Sequence, residues 1–223
     1  PVSTGGLDLM TWRSFARLSG KIPRIAIVGG YCFAGNAAIA GCADIIIATK
    51  DSSMGMGGPA MIEGGGLGSF HPKEIGPAKT LAKNGVIDLL AENEKEAVAI
   101  AKKYLSYFQG SSKQWKEHPQ EELYAILPED RRYAYDISKI ITVLADEDSV
   151  LELRKDFALN MITALIRVQG KPMGLIANST RFLGGAIDSD AADKAARFLQ
   201  LCNAFGLAVI SLCDTPGFMV GPD

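Results

Sequence analysis

Apolar residues fall along this chain in short runs and in helical stripes, and their order sets the elements to expect. Ile25, Ala26, Ile27 and Val28 form a four-residue apolar run with β-branched residues, which predicts a strand buried on both faces. Gly29-Gly30 breaks the run, and small residues from Ala34 to Ala40 predict a helix packed close to the sheet. Residues 44–49 read as a second buried strand, so strand, helix and strand make a right-handed crossover. Before it, Met10, Phe15 and Leu18 at helical spacing predict a helix over 10–18, closed by Ser19-Gly20. After it, Asn84-Gly85 is a turn and 86–90 a short strand. Residues 94–108 form an amphipathic helix with Ala97, Ile100, Ala101, Tyr104, Leu105 and Phe108 on one side.

The pattern turns polar over 109–120, with Gly110, Ser111, Ser112 and Pro119, and this is the best linker candidate. Periodicity then resumes. A helix over 135–146 is capped by Asp136, and the acidic Asp146-Glu147-Asp148 reads as a solvated turn. Strands are expected at 150–153, 161–168 and 173–177, with a turn at 169–172. A glycine break at 183–188 leads into a helix over 189–205 capped by Asp188 or Ser189, whose Ala191, Ala192, Ala195, Ala196 and Leu199 make a small-residue packing face. A last buried strand over 207–213 ends at the turn Asp214-Thr215-Pro216-Gly217-Phe218.

Composition narrows the classes. Of 223 residues, 48% are hydrophobic and 22% charged, which is enough apolar matter for a packed core. The net charge is -2 and no basic block stands out, so nucleic acid is not an expected partner. No apolar run approaches a membrane span. Cys32, Cys42, Cys202 and Cys213 lack metal-ligand spacing and sit in apolar runs, so they read as small core residues in a reducing compartment. His71 and His118 lie in no metal or nucleophile motif, and no metal is expected. The chain opens on Pro1 without a Met, which suggests a fragment.

Two stretches carry candidate chemistry. The turn from Gly29 to Gly35 precedes a helix start, where unpaired N–H groups carry partial positive charge suited to an oxyanion. The alternative is a strand–turn–helix junction that serves only packing. Between 53 and 68 fall seven of the 24 glycines. So much glycine is costly to order. Its apolar Met and Ile neighbours point to close approach of a ligand over a solvated loop.

Three segments together resemble a known family: Gly30-Tyr31-Cys32-Phe33-Ala34-Gly35-Asn36, the glycine-rich stretch from Gly57 to Gly68, and Leu183-Gly184-Gly185-Ala186-Ile187-Asp188 with its helix, followed by Asp214-Thr215-Pro216-Gly217-Phe218. They resemble the carboxyltransferase (beta) subunit of biotin-dependent acyl-CoA carboxylases of the acetyl-CoA and propionyl-CoA type. The resemblance implies an α/β crotonase (ClpP-like) fold of spiral ββα units, with parts of two related halves at 1–108 and 123–223 and a linker at 109–122. It implies transfer of a carboxyl group from N-carboxybiotin to the α-carbon of an acyl-CoA. The backbone N–H groups of Ala34 and Gly35 would hold the thioester enolate oxygen, although the family has Gly-Gly there. Gly57 and Gly58 would flank the acyl-CoA, and Gly184, Gly185, Gly217 and Phe218 would line the biotin side. Implied partners are a biotin carboxyl carrier protein, a biotin carboxylase subunit and further copies of the chain, with the active site where the first half of one subunit meets the second half of another. The implied setting is the cytoplasm or the mitochondrial matrix.

Competing readings keep the same layout. An enoyl-CoA hydratase or isomerase needs two carboxylates where this chain has Ala38 and about Gly58; Glu63 reads as a cap or surface residue. A biotin-dependent acyl-CoA decarboxylase runs the reaction in reverse. A non-catalytic subunit would only bind CoA thioesters or assemble the complex.

Overall fold

The computed structural model describes residues 10–130 and 133–221; the opening Pro1–Thr4 stretch lies outside them. The first half begins with α1 (Met10–Ala16), followed by β1 (Ile25–Val28) and β2 (Tyr31–Phe33), then α2 (Gly35–Gly41). The pattern repeats as β3 (Ile45–Thr49), β4 (Ser53–Gly55), α3 (Pro59–Gly64) and α4 (Ala78–Lys83), and again as β5 (Leu89–Ala91) and α5 (Glu94–Ser106). Each turn of this spiral contributes one strand to the parallel sheet β1-β3-β5, and the first two add a strand to the parallel pair β2-β4. This is the ββα spiral expected for a crotonase fold.

β3 explains why the spiral closes into a core. All five of its residues are buried, and alternation sends them to two sides. Ile45 and Ile47 face a core shared with Ala97, Ala101 and Tyr104 of α5, whereas Ile46 and Ala48 face one with Ala37 and Ala40 of α2 and Ala78 and Ala82 of α4. β1, expected to be buried on both faces, is instead the edge strand of this sheet, and Ile27 is 44% exposed. An apolar run does not tell an edge from a centre. β5 begins three residues later than expected, because 86–88 form the entry to it and Asp88 serves a different purpose, described below.

After α5 the chain is irregular until a short helix, α6 (Leu123–Ile126), and α7 (Ile137–Leu144). Asp136 caps α7 by accepting from the Ser138 N–H at 3.1 Å. A four-stranded sheet follows in the order β6 (Leu151–Leu153), β7 (Met161–Val168), β8 (Lys171–Asn178), β9 (Val209–Leu212). β7 and β8 form an antiparallel hairpin; β9 returns parallel to β8 through α8 (Ser189–Ala204). The hairpin turn Gln169-Gly170 has positive φ at both residues, the type that matches strand twist. Asp146 holds that turn: its carboxylate accepts from the N–H groups of Gln169 and Gly170 at 2.8 and 2.7 Å. Asp146 is therefore buried, not part of a solvated turn.

Three further expectations are corrected. The buried face of α8 is Ala191, Lys194, Phe198 and Cys202, while Ala196 and Leu199 are exposed. β9 alternates exposed and half-buried residues as the edge of its sheet. Of the cysteines, Cys202 is buried and Cys32 half-buried, but Cys42 and Cys213 lie at the surface.

Candidate functional site

The first candidate cluster forms where β2 ends. The Ala34 N–H extends the β2-β4 ladder by donating to the Gly55 carbonyl at 3.0 Å. Ala34 then turns the chain with φ 52 and ψ -122, the mirror image of extended backbone, a region glycine enters freely and alanine does not. α2 starts at the next residue. Its first N–H groups, those of Gly35, Asn36 and Ala37, precede any helix carbonyl that could accept from them, and Gly35 and Asn36 are exposed. This revises the expected pair of oxyanion donors: Gly35 has its N–H available, while that of Ala34 is engaged in the ladder.

Gly57 and Gly58 come to the same place through Phe33. A side chain at Gly58 would meet Phe33 Cβ at 3.3 Å, and one at Gly57 would meet Met61 Sδ at 3.7 Å. Gly58 caps α3, its carbonyl accepting from the Met61 and Ile62 N–H groups. Trp12 of α1 closes the other side, its indole ring 3.5 Å from where a Gly35 side chain would begin. Sequence reasoning missed Trp12. It lies 23 positions from Gly35 on a helix with no buried residue, so no periodicity marks it.

The second cluster lies beyond the C-terminal ends of β8 and β9. Asn178, at the end of β8, donates from Nδ2 to the Gly185 carbonyl at 3.1 Å, and Asn160 donates from Nδ2 to the Ala186 carbonyl at 2.8 Å. These bonds fix a tight turn in which Gly184 and Gly185 both have positive φ. Gly185 is required there, since a Cβ would sit 2.4 Å from the Asp214 carbonyl. The turn is tied to the loop after β9: the Ile187 N–H donates to the Gly217 carbonyl at 3.0 Å and the Met219 N–H to the Ile187 carbonyl at 2.8 Å. Tyr135 adds a bond from its hydroxyl to Asp214 at 2.9 Å, and burial with that partner pushes the phenol up to about 12. The expected residues Gly184, Gly185, Gly217 and Phe218 are thus brought together. Gly184 and Gly217 have open space beside them, and Phe218 is 72% exposed.

Neither cluster lines the larger clefts. One of about 530 Å³ runs between Gly41, Asn84, Phe157 and the Arg197 side of α8, and one of about 250 Å³ lies between β5, α5 and β6. Both follow the junction of the halves, which is polar and buried. Arg154 Nε donates to Asp88 at 2.8 Å, and the other Asp88 oxygen accepts from the Ile46 N–H at 2.8 Å. Burial pushes the Asp88 carboxyl up, against the pull of Arg154. Lys194, only 1% exposed, donates from Nζ to the Phe157 carbonyl at 2.7 Å, and burial lowers its ammonium to about 8. Among the described residues, no group of three His, Cys, Asp or Glu is placed to hold a metal ion, and no helix is long and apolar enough to cross a membrane.

Comparison with known proteins shows the family. A family model described as the carboxyl transferase domain matches residues 10–223. The chain is 35% identical over 215 residues to an uncharacterized carboxylase, YngE, of Bacillus subtilis strain 168, covering 92% of this chain and 42% of that protein. It is 34% identical to the methylmalonyl-CoA carboxyltransferase 12S subunit of Propionibacterium freudenreichii subsp. shermanii, covering 92% of this chain and 41% of that subunit. A solved single-chain, multi-domain long-chain acyl-CoA carboxylase superposes with a TM-score of 0.95 at 56% identity, over 98% of this chain and 22% of that one. The chain therefore spans about two fifths of the length of the curated relatives it matches. The spiral of ββα units, the two glycine clusters and the match over residues 10–223 lead to one conclusion: the chain belongs to the carboxyl transferase domain family.

Proposed function

We propose that this chain is the part of a biotin-dependent carboxyltransferase that receives an acyl-CoA at Gly35 and carboxybiotin at the Gly184–Gly185 and Gly217–Phe218 turn. The observation that carries the reading is the exposed N–H of Gly35 beside a surface without acid–base groups. No Asp or Glu occurs in 31–43 or 53–62, so nothing there could add or remove water from a thioester. A backbone donor at a helix start can nonetheless stabilise the oxygen of a thioester enolate. Carboxybiotin supplies the carboxyl group. The protein's share of the work is placement of the two substrates and stabilisation of developing charge. The same reading divides the chain at 109–122. It takes a biotin carrier, a biotin carboxylase and further copies of the chain as partners, in the cytoplasm or an organelle matrix. Support for assembly comes from a structural neighbour at 32% identity and TM-score 0.83, described as a transcarboxylase 12S hexamer with substrate bound to a multienzyme core.

Gly35→Pro tests the reading. Proline is accepted at the first position of a helix and deletes the N–H, and because it also restricts the backbone of Ala34 before it, circular dichroism checks that the fold is kept. Calorimetric titration with acetyl-CoA and propionyl-CoA is expected to show weaker binding to the variant, with unchanged circular dichroism. Carboxylation by the full-length protein is expected to fall about a hundredfold, as for loss of one oxyanion donor. Equal rates in both proteins would remove Gly35 from the site.

A further inference from the structure

A buried amide costs free energy unless its polar atoms are bonded, so asparagine is mostly found at the surface. This chain buries Asn160 and Asn178, with 3% and 6% of their surface exposed. Both spend their Nδ2 donors on one short stretch. Beyond the bonds to the Gly185 and Ala186 carbonyls, Asn160 Nδ2 also reaches Asp188 Oδ1 at 3.2 Å, the oxygen that caps α8 by accepting from the Ala191 N–H. That stretch does not hold its own shape. Leu183, Gly184 and Gly185 follow one another with φ of 49, 60 and 82. A branched side chain is strained in the left-handed region, and Leu183 is 57% exposed, so packing does not compensate it. Strain of this kind persists only where the surroundings over-determine the backbone. Here the two amides and the Ile187–Gly217 bond do so.

Asn160 is itself placed by the loop that leads into β7. At the start of that loop the Arg154 N–H donates to the Asp88 carbonyl at 2.8 Å. In its middle, Lys194 Nζ holds the Phe157 and Ala158 carbonyls at 2.7 and 3.4 Å. At its end the Asn160 carbonyl accepts from the Ser179 N–H at 2.9 Å, one residue after Asn178. A chain of buried bonds therefore runs from Asp88, at the entry to β5, to the Gly184–Gly185 turn.

We propose that Asn160 and Asn178 are positioning residues for carboxybiotin: they hold the Gly184–Gly185 turn, and through Ile187 the Gly217–Phe218 loop, in the shape that meets the biotin ring. The proposal rests on the carboxyl-transfer reading and adds to it the residues that shape the biotin side. Their effect is confined to that side. The bonds of both amides end between residues 185 and 188, whereas Gly35 follows the separate β2-β4 pair.

The experiment runs the transfer backward in the full-length protein, with free biotin as acceptor and malonyl-CoA or methylmalonyl-CoA as donor. The bond from the α-carbon to the carboxyl group breaks, a bond from that group to a biotin ring nitrogen forms, and the nitrogen's proton passes to the α-carbon. KM for biotin and KM for the thioester are measured separately in the parent, in Asn160→Ser and in Asn178→Ser. Serine removes the amide donor yet leaves a hydroxyl and room for water, so the interior stays polar. The expected result is a rise of about tenfold in KM for biotin in each variant, as for loss of one buried hydrogen bond, with KM for the thioester changed less than about twofold. Equal rises in both constants, a rise for the thioester alone, or no rise would overturn the proposal. Should one variant lose the parent's circular dichroism, the other decides; loss in both would assign the amides to folding alone and overturn it too. Those outcomes leave carboxyl transfer intact. Absence of biotin-dependent turnover by the parent with either thioester would instead overturn the carboxyl-transfer reading, and the proposal with it.

Discussion

Ala34 shows what a single residue costs and why it is tolerated. Its φ of 52 with ψ of -122 lies where an L side chain is strained by about 1–3 kcal/mol. The ladder bond to Gly55 on one side and the start of α2 on the other leave the chain no other path. Ala34→Gly relieves the strain at the expense of unfolded-chain entropy, about 0.5–1 kcal/mol. A net gain of about 1 kcal/mol is expected in urea unfolding, and a β-branched Ala34→Val should lose at least that much. A variant Ala34→Gly no more stable than the parent would show the turn to be unstrained. The sequence motif located this turn, but it could not say which N–H groups point outward. That depends on the register of β2 against β4, strands of three residues with no pattern long enough to fix one.

Among elements, α8 was legible in extent and misread in orientation. Its caps and alanines predict a helix at the observed place, with Asp188 accepting from the Ala191 N–H at 2.9 Å. Its buried stripe includes Lys194, and a lysine ordinarily marks the outer face. The fold places the unpaired Phe157 carbonyl where the ammonium can reach it, a long-range fact no helical wheel contains. The consequence is a pH dependence. Lys194 titrates at about 8 in the folded protein and near 10.4 when unfolded. Between those values the unfolded chain binds more protons, so this group makes stability rise with pH. Cys202, raised to about 11, and Tyr135, raised to about 12, act the opposite way above roughly pH 9 and 10. From pH 8 to 9 the parent should therefore gain about 1 kcal/mol relative to Lys194→Met, read as the difference in urea-unfolding free energy. Parallel curves for the two proteins would refute the assignment. The β7–β8 hairpin was read closely, because its apolar runs and its Gln-Gly turn are local, although Lys171 and Pro172, expected in the turn, already pair with β7. β1 and β9 were taken as buried, since being an edge strand is a property of the sheet.

For the whole molecule, the polar stretch over 109–120 suggested two halves, and the chain is irregular there. What the sequence did not disclose is that the halves share one core. Ile45 and Ile47 of β3, Tyr104 of α5, Leu165 of β7 and Phe198 of α8 belong to the same buried cluster. Tyr107 ties the halves further by donating its hydroxyl to the Ser149 carbonyl. The Asp88–Arg154 pair crosses the junction with side chains nearly out of solvent. Removing one partner of a buried pair leaves the other charge uncompensated, so Asp88→Asn should cost about 3–5 kcal/mol in chemical denaturation. A loss below 1 kcal/mol would mean that the pair is solvated and the junction looser than described. Ion pairs between residues 66 positions apart leave no periodic trace, which is why the glycine clusters were found from the sequence and the junction was not.

The same junction couples two positions far apart in the chain. A Cβ at Gly85 would lie 2.8 Å from the ring of Phe157, and Gly85 holds a φ of 77. A larger residue at 85 meets both that ring and the strain of a positive φ, so a smaller residue at 157 would relieve the contact but not the backbone, although 72 positions separate the two. Exchange of either half between related chains would then keep this packing only where a glycine at 85 faces a side chain no larger than Phe157. Recombination that ignores the pair should yield insoluble protein even where each half is intact.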